Sequence, residues 1–214
     1  MLHRLNRHAL PGLLLLGLLI AAPVRAAAPS DAGAFIDGLV HDALGTINSK
    51  QATQEDRTKH FRDLLEKDFD MTFISHFVLG RYWNPASEQE RQQFIKLFTE
   101  YLVRSYAQRF SEYSGETVKI TGTRDAGDNA IVRSEIIHPN GGDPAKVDWR
   151  VRKEDSGYRI VDVDVEGVSM LVTQRDQFGS VMQHEGGVAG LNKTLEQKLA
   201  SGDTSLAAPI LPKK

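Results

Sequence analysis

The chain has 214 residues with 26 basic and 28 acidic side chains, a balance that argues against nucleic acid, which selects clustered positive charge. It has no cysteine, which removes disulfides, thiol nucleophiles and thiolate metal sites together. The fold must therefore hold by packing alone, and the length suffices for one domain with its own core.

Residues 1–26 read as an address rather than structure. Arg4 and Arg7 precede the apolar run from Leu13 to Ile20, and small residues follow at Val24-Arg25-Ala26. That is the plan of a secretory signal peptide cleaved after Ala26, and the run is shorter than the ~20 residues of a spanning helix. Three of the 26 basic residues lie in that segment, so the remainder carries 23 against 28 acids, a net of −5. Without cysteine, such an exported chain is expected in the periplasm, with one domain over 27–200 and a disordered tail over 201–214.

In chain order, the first mature helix is expected to start near Asp31, with Ile36, Val40, Ala43 and Ile47 on one stripe. A second starts at Thr53, whose hydroxyl can cap it, and buries Phe61, Leu64 and Leu65. Asp70 caps a short third helix carrying Phe73, Ile74, Phe77 and Val78, which Gly80 ends. Ser87-Glu88-Gln89-Glu90 is a capping box, and from it the apolar period runs through Phe94, Phe98, Tyr101, Leu102, Tyr106 and Phe110 to Tyr113. A helix from Glu88 to Tyr113 would be about 39 Å long.

After Gly115 the period changes to two. Val118 and Ile120, then Ala130, Val132 and Ile136, then Val147, Trp149 and Val151, then Val161, Val163 and Val165 alternate with polar residues. Turn-rich breaks at 125–128, 139–142 and 154–157 join four strands into an antiparallel meander with one dry face. Helices over Val168–Gln183 and Val188–Ala200 close the chain. The fold class is therefore α+β: N-terminal helices, a twisted antiparallel sheet of four or five strands, and C-terminal helices that fold back. A helix laid across such a sheet makes a cone that can enclose a cavity.

The row Asp162, Asp164, Glu166 is the first candidate for chemistry. Same-face residues of a strand lie about 6.8 Å apart, too far for these carboxylates to share one metal without help. The solvated face of a half-buried strand is the better reading. The histidines of the mature chain (His41, His60, His76, His138, His184) never fall three or four apart, so they offer no helical metal pair. Ser169 lacks the second glycine of a nucleophile elbow and is placed to cap the next helix. Neither Gly141-Gly142 nor Gly186-Gly187 makes a phosphate loop. No catalytic residue and no metal ligand emerge. What stands out is that twelve of the sixteen aromatic residues lie between Phe61 and Tyr113, either as core or as one wall of an apolar pocket.

Three blocks carry a resemblance. Asp68-Phe69-Asp70 followed by Phe77-Val78-Leu79-Gly80-Arg81-Tyr82-Trp83 and Ala86-Ser87, then the long helix with its Gly115-Glu116 turn, then Val147-Asp148-Trp149-Arg150-Val151-Arg152 with Glu166-Gly167-Val168-Ser169, resemble the periplasmic MlaC / toluene-tolerance family. The resemblance covers about Ala34 to Leu199, with Tyr158 standing where that family commonly has Trp. A hopanoid-linked branch of the same superfamily is similar. The resemblance implies a soluble carrier without cofactor whose cargo is phospholipid, with the acyl chains inside and the headgroup in water. It implies two partners, an outer-membrane lipoprotein–porin complex and an inner-membrane ABC transporter with its periplasmic substrate-binding subunit. The last-strand valines would face the cavity and the acids water. Amphipathic phase and resemblance together give the expected lining: Phe73, Phe77, Leu79, Tyr82, Phe98, Tyr101, Leu102, Tyr106, Val132, Ile136, Val147, Trp149, Val151, Val163, Val165, Val168 and Met170. Two alternatives stand beside the carrier. One is an enzyme using His76 with a carboxylate in the pocket; the other is a periplasmic adaptor or chaperone binding protein through the aromatic helices.

Overall fold

The computed structural model describes residues 31–107, 113 and 115–207. The expected signal peptide and the end of the expected tail lie outside them, as does Phe110. Four helices come first: α1 (Asp31–Asn48), α2 (Gln54–Asp68), α3 (Met71–Leu79) and, after a single 3₁₀ turn at Gly80–Tyr82, α4 (Glu88–Ala107). Their starts follow the chemistry of the caps. Thr53 and Asp56 exchange hydrogen bonds reciprocally at α2, and Ser87 and Glu90 do so at α4. The Asp70 carboxylate accepts from the Phe73 N–H at α3. The described part of α4 ends at Ala107, and Tyr113 is not helical, so the expectation of an uninterrupted helix to Tyr113 is not met.

The sheet is an antiparallel meander in the order β1-β2-β3-β4-β5. Its strands are β1 (Thr117–Ala126), β2 (Asn129–Ile137), β3 (Ala145–Glu154), β4 (Gly157–Val165) and β5 (Val168–Ser169). Residues 166 and 167 link β4 to β5 as a two-residue hairpin with both φ positive, +52° at Glu166 and +79° at Gly167. Glycine takes that conformation freely. Glu166 is held in it because its N–H donates to the Lys146 carbonyl while its carboxylate accepts from the Lys146 N–H. Two helices follow, α5 (Met170–Glu185) and α6 (Val188–Ser201).

Two apolar clusters hold these parts together. In one, Ala32 and Ile36 of α1 pack on Val132, Val151 and Ile160 of the sheet. In the other, α3, α4, α5 and α6 bury Ile74, Val78, Phe94, Phe98, Phe178, Met182, Leu191 and Leu195. Phe94, Phe98 and Phe178 form a ring triad at 5.3 to 5.9 Å between centroids. Each such pair adds about 0.5–1.5 kcal/mol beyond the area it buries. From Gly202 to Ala207, where a disordered tail is expected, the chain packs back. The Leu206 N–H donates to the buried Tyr101 hydroxyl, and Gln174 donates to the Leu206 carbonyl. Asp203 is held at a pKa of about 2 by the Lys198 ammonium at 2.6 Å and by the Ser205 N–H.

The α5–α6 hairpin is closed tightly enough to require a glycine. A Cβ on Gly190 would lie 1.8 Å from the Glu185 carbonyl oxygen, a backbone atom that cannot swing aside. Helix propensity favours Ala over Gly by about 1 kcal/mol, yet overpacking of this kind costs about 1–3 kcal/mol or more. Gly190→Ala is expected to lower the melting temperature in thermal unfolding. A rise would show that the hairpin opens without cost.

Candidate functional site

Between the helical cluster and the sheet lies a cavity of about 220 Å³. One wall is Phe61 and Leu65 of α2, Met71, Ile74 and Val78 of α3, and Phe98, Leu102 and Tyr106 of α4. The sheet supplies Ile136, Val147, Trp149, Val161 and Val163, and α5 closes the end with Met170, Leu171 and Gln174. Asp162 of β4 and Phe69, where the chain leaves α2 and bridges in parallel to Ile160, complete the lining.

Eight of the seventeen expected lining residues meet here: Phe98, Leu102, Tyr106, Ile136, Val147, Trp149, Val163 and Met170. The other nine lie elsewhere. Tyr101 is buried in the helical cluster, and Val132 and Val151 are under α1. Leu79 and Tyr82 border a separate groove between the 3₁₀ turn and α5. Phe73 and Phe77 are half-buried as a tilted ring pair beneath Arg152, 4.1 Å from the Phe73 centroid, and Arg175, 5.2 Å from that of Phe77. Val165 is buried outside the cavity, and Val168 is exposed. The α3 residues that do line it, Met71, Ile74 and Val78, share a stripe at three- and four-residue spacing. α3 is apolar on nearly every side, so that stripe competes with the Phe73–Phe77 stripe and aromatic size is no guide.

The acid row is only partly a wet face. Opposite Arg150 and Val151 of β3, β4 carries one extra residue, Val161, a bulge that interrupts the alternation. Ile160, Val161 and Asp162 are all buried, so Asp162 does not face water as expected. Its carboxylate accepts from the Val163 N–H at 2.8 Å, the Ser169 hydroxyl at 2.7 Å and the Leu171 N–H at 3.1 Å. Ser169 in turn accepts from the Val172 N–H, the capping role its position suggests. Asp162 thus joins β4 to the start of α5, satisfying amides the first turn leaves unpaired and placing negative charge where the helix dipole favours it. Removing it strands those donors in a buried place, at about 1–3 kcal/mol. Asp162→Ala is therefore expected to lower the denaturant midpoint by that amount; a change within error would mean the corner does not depend on it.

The cavity's polar atoms are committed to the fold. Trp149 Nε1 donates to the Ser134 hydroxyl at 2.9 Å, and that hydroxyl donates to the Val147 carbonyl. Gln174 donates to the Leu206 carbonyl. His76 is exposed, edge-on to Trp83 at 4.8 Å, and is not among the lining residues. Among the described residues, no group of three His, Cys, Asp or Glu side chains could hold a metal.

Asp164 stands directly across from Asp148 on β3. Burial raises its pKa first, then the Asp162 and Asp148 charges, with Arg150 opposing. A raised folded-state pKa means that the native chain holds the proton more tightly than the unfolded chain. The ionised Asp164 therefore costs stability once pH rises through that value, and the cost vanishes below the ordinary carboxylate value of about 3.9. Asp164→Asn should raise the melting temperature at neutral pH, with the gain fading as the buffer is acidified. A gain independent of pH would remove the electrostatic cause.

A cavity walled mainly by hydrocarbon, its polar side chains Asp162 and Gln174 already hydrogen-bonded, offers a place for an apolar ligand. Residues 37–197 match the family model described as MlaC protein, and the chain belongs to that family. It is 26% identical over 148 residues to the intermembrane phospholipid transport system binding protein MlaC of Haemophilus influenzae, covering 65% of this chain and 69% of that one. It is 24% identical over 188 residues to toluene tolerance protein ttg2D of Pseudomonas putida, covering 85% and 86%. Among solved structures, the phospholipid-binding protein of Ralstonia solanacearum in complex with a phospholipid superposes with a TM-score of 0.70 at 27% identity, covering 81% of this chain and 99% of that one.

Proposed function

We propose that the protein is a periplasmic carrier that holds the acyl chains of a phospholipid in this cavity and moves the lipid between the outer and inner membranes. Its partners in this reading are a lipoprotein–porin complex at the outer membrane and an ABC transporter with its periplasmic substrate-binding subunit at the inner one. The observation that carries the reading is the cavity itself: its lining is aliphatic and aromatic apart from Asp162 and Gln174, both already hydrogen-bonded. Similarity to a protein solved with a phospholipid supports the same cargo.

The energetics explain why such a lining is needed. Two acyl chains hold roughly 28 methylenes, so at about 0.8 kcal/mol each their exposure to water costs about 22 kcal/mol. The walls replace the bilayer's hydrocarbon, and no catalytic group is required. A volume of about 220 Å³ lies below the roughly 300–1,000 Å³ of pockets that enclose drug-sized ligands. A two-chain lipid therefore enters only as the walls part. The half-buried side chains Phe61, Leu102 and Tyr106 of α2 and α4, facing Ile136 and Trp149, are where that parting exposes least new surface.

The enzyme alternative loses its histidine to the surface, since it requires His76 in the pocket. The adaptor alternative calls for a broad exposed apolar patch, and the aromatics of α3 and α4 are buried or half-buried.

Mass spectrometry of protein purified from a Gram-negative host without detergent tests the proposal. Stoichiometric phospholipid is expected in the wild type. Leu102→Trp, which adds volume inside the cavity, should reduce the bound lipid at least severalfold while leaving the melting temperature unchanged or higher. An empty wild-type protein, or full loading of the variant, would count against this cavity as the acyl site.

A further inference from the structure

At its α5 end the cavity lining changes character. Beside Met170 and Leu171 stands Gln174, an amide buried to 3% exposure. An amide in a hydrocarbon wall is tolerated only where its hydrogen bonds are made. Gln174 Nε2 donates to the Leu206 carbonyl at 2.8 Å, and the Leu206 N–H donates to the Tyr101 hydroxyl at 2.7 Å. Both backbone groups of one residue therefore pin that end of the cavity, to α5 through Gln174 and to α4 through Tyr101. Tyr101 is fully buried in the helical cluster and is not a lining residue.

Residues 203–207 are themselves held in place. The Lys198 ammonium donates to the Asp203 carboxylate at 2.6 Å and to the Ser205 hydroxyl at 3.0 Å. Asp203 also accepts from the Ser205 N–H at 2.8 Å, and the Ala207 N–H donates to the Thr204 carbonyl at 3.1 Å. Leu206 and Ala207 are half-buried against the helical cluster. Gln174 thus touches the cavity on one side and this segment on the other.

A chain that enters past the half-buried Phe61, Leu102 and Tyr106 runs toward Met170, Leu171 and Gln174. Met and Leu side chains yield to it by rotating. Gln174 does not, because displacing it breaks its bond to Leu206 and leaves an amide and a carbonyl facing hydrocarbon. We propose that Gln174, pinned by Leu206, is the stop that sets the longest acyl chain the cavity accepts, with residues 203–207 as its backing. This rests on the carrier reading above and adds the property of the cargo that the site selects, its chain length.

The test offers the purified protein, stripped of lipid, an equal mixture of saturated monoacyl phosphatidylcholines in two-carbon steps from dodecanoyl to eicosanoyl, presented as mixed micelles. Native mass spectrometry reads the occupancy of each. Micelle and cavity both remove a methylene from water, so occupancy stays level with length while the chain fits. Beyond the stop, each two-carbon step leaves two more methylenes in water, and wild-type occupancy should fall roughly fifteenfold per step. Gln174→Ala, which removes the stop, should move the fall to longer chains by at least one step. Tyr101→Phe leaves the lining untouched and removes the acceptor of the Leu206 N–H, so it should move the fall in the same direction; it carries the test should Gln174→Ala fail to fold. A fall at the wild-type length in both variants, or a loss equal at every length, would overturn the proposal by showing that these groups only hold the fold. Level wild-type occupancy up to the longest probe would show that there is no stop. Wild-type protein that takes up no probe of any length would sink the carrier reading itself.

Discussion

The Asp162 carboxylate binds its own strand, the Ser169 hydroxyl and the first turn of α5, and the arrangement of the cavity follows from that contact. A buried carboxylate is tolerated only when hydrogen bonds replace its hydration, and the hairpin at residues 166 and 167 brings those donors to it. With its start fixed there, α5 aims Met170, Leu171 and Gln174 at the cavity and, one and two turns later, Phe178 and Met182 into the helical core. The bulge at Val161 sets the phase. Without the extra residue Asp162 would fall on the phase of Val163, and its carboxylate would not reach the Ser169 hydroxyl.

Two separate cores explain why an apolar space survives between them. α1 covers the sheet with a cluster of its own, and the ring triad and its aliphatic neighbours pack α3 to α6 against one another. Each half satisfies its packing without drawing the helices fully onto the strands between β2 and β4. In a single core, interior close packing at crystal-like density would have filled that space with side chains. Links such as Arg62 to Glu100, at 2.6 Å, tie α2 to α4 outside the cavity and keep that wall together.

Much of the fold was legible in local chemistry. Caps at Thr53, Asp70 and Ser87 mark helix starts because unpaired amides demand an acceptor there, and the change of period after Gly115 marks the sheet. Eight of the seventeen expected lining residues border the cavity: the strand alternation puts Val147, Trp149 and Val163 there, and the α4 stripe Phe98 and Leu102. It fails where an unwritten event changes the phase, at the Val161 bulge, and where a helix is apolar all round, as α3 is. It also misses contacts between distant segments: nothing in Ser205-Leu206-Ala207 announces that Tyr101 and Gln174 will hold it.

A carrier works only if it gives its cargo up. A preformed cavity that matched two acyl chains would recover the hydrocarbon transfer free energy about as fully as the bilayer does. Walls that must part first charge part of that free energy to opening, so the net affinity falls below that of a preformed fit. On the carrier reading, a cavity smaller than the cargo leaves a balance that a partner's contact can tip.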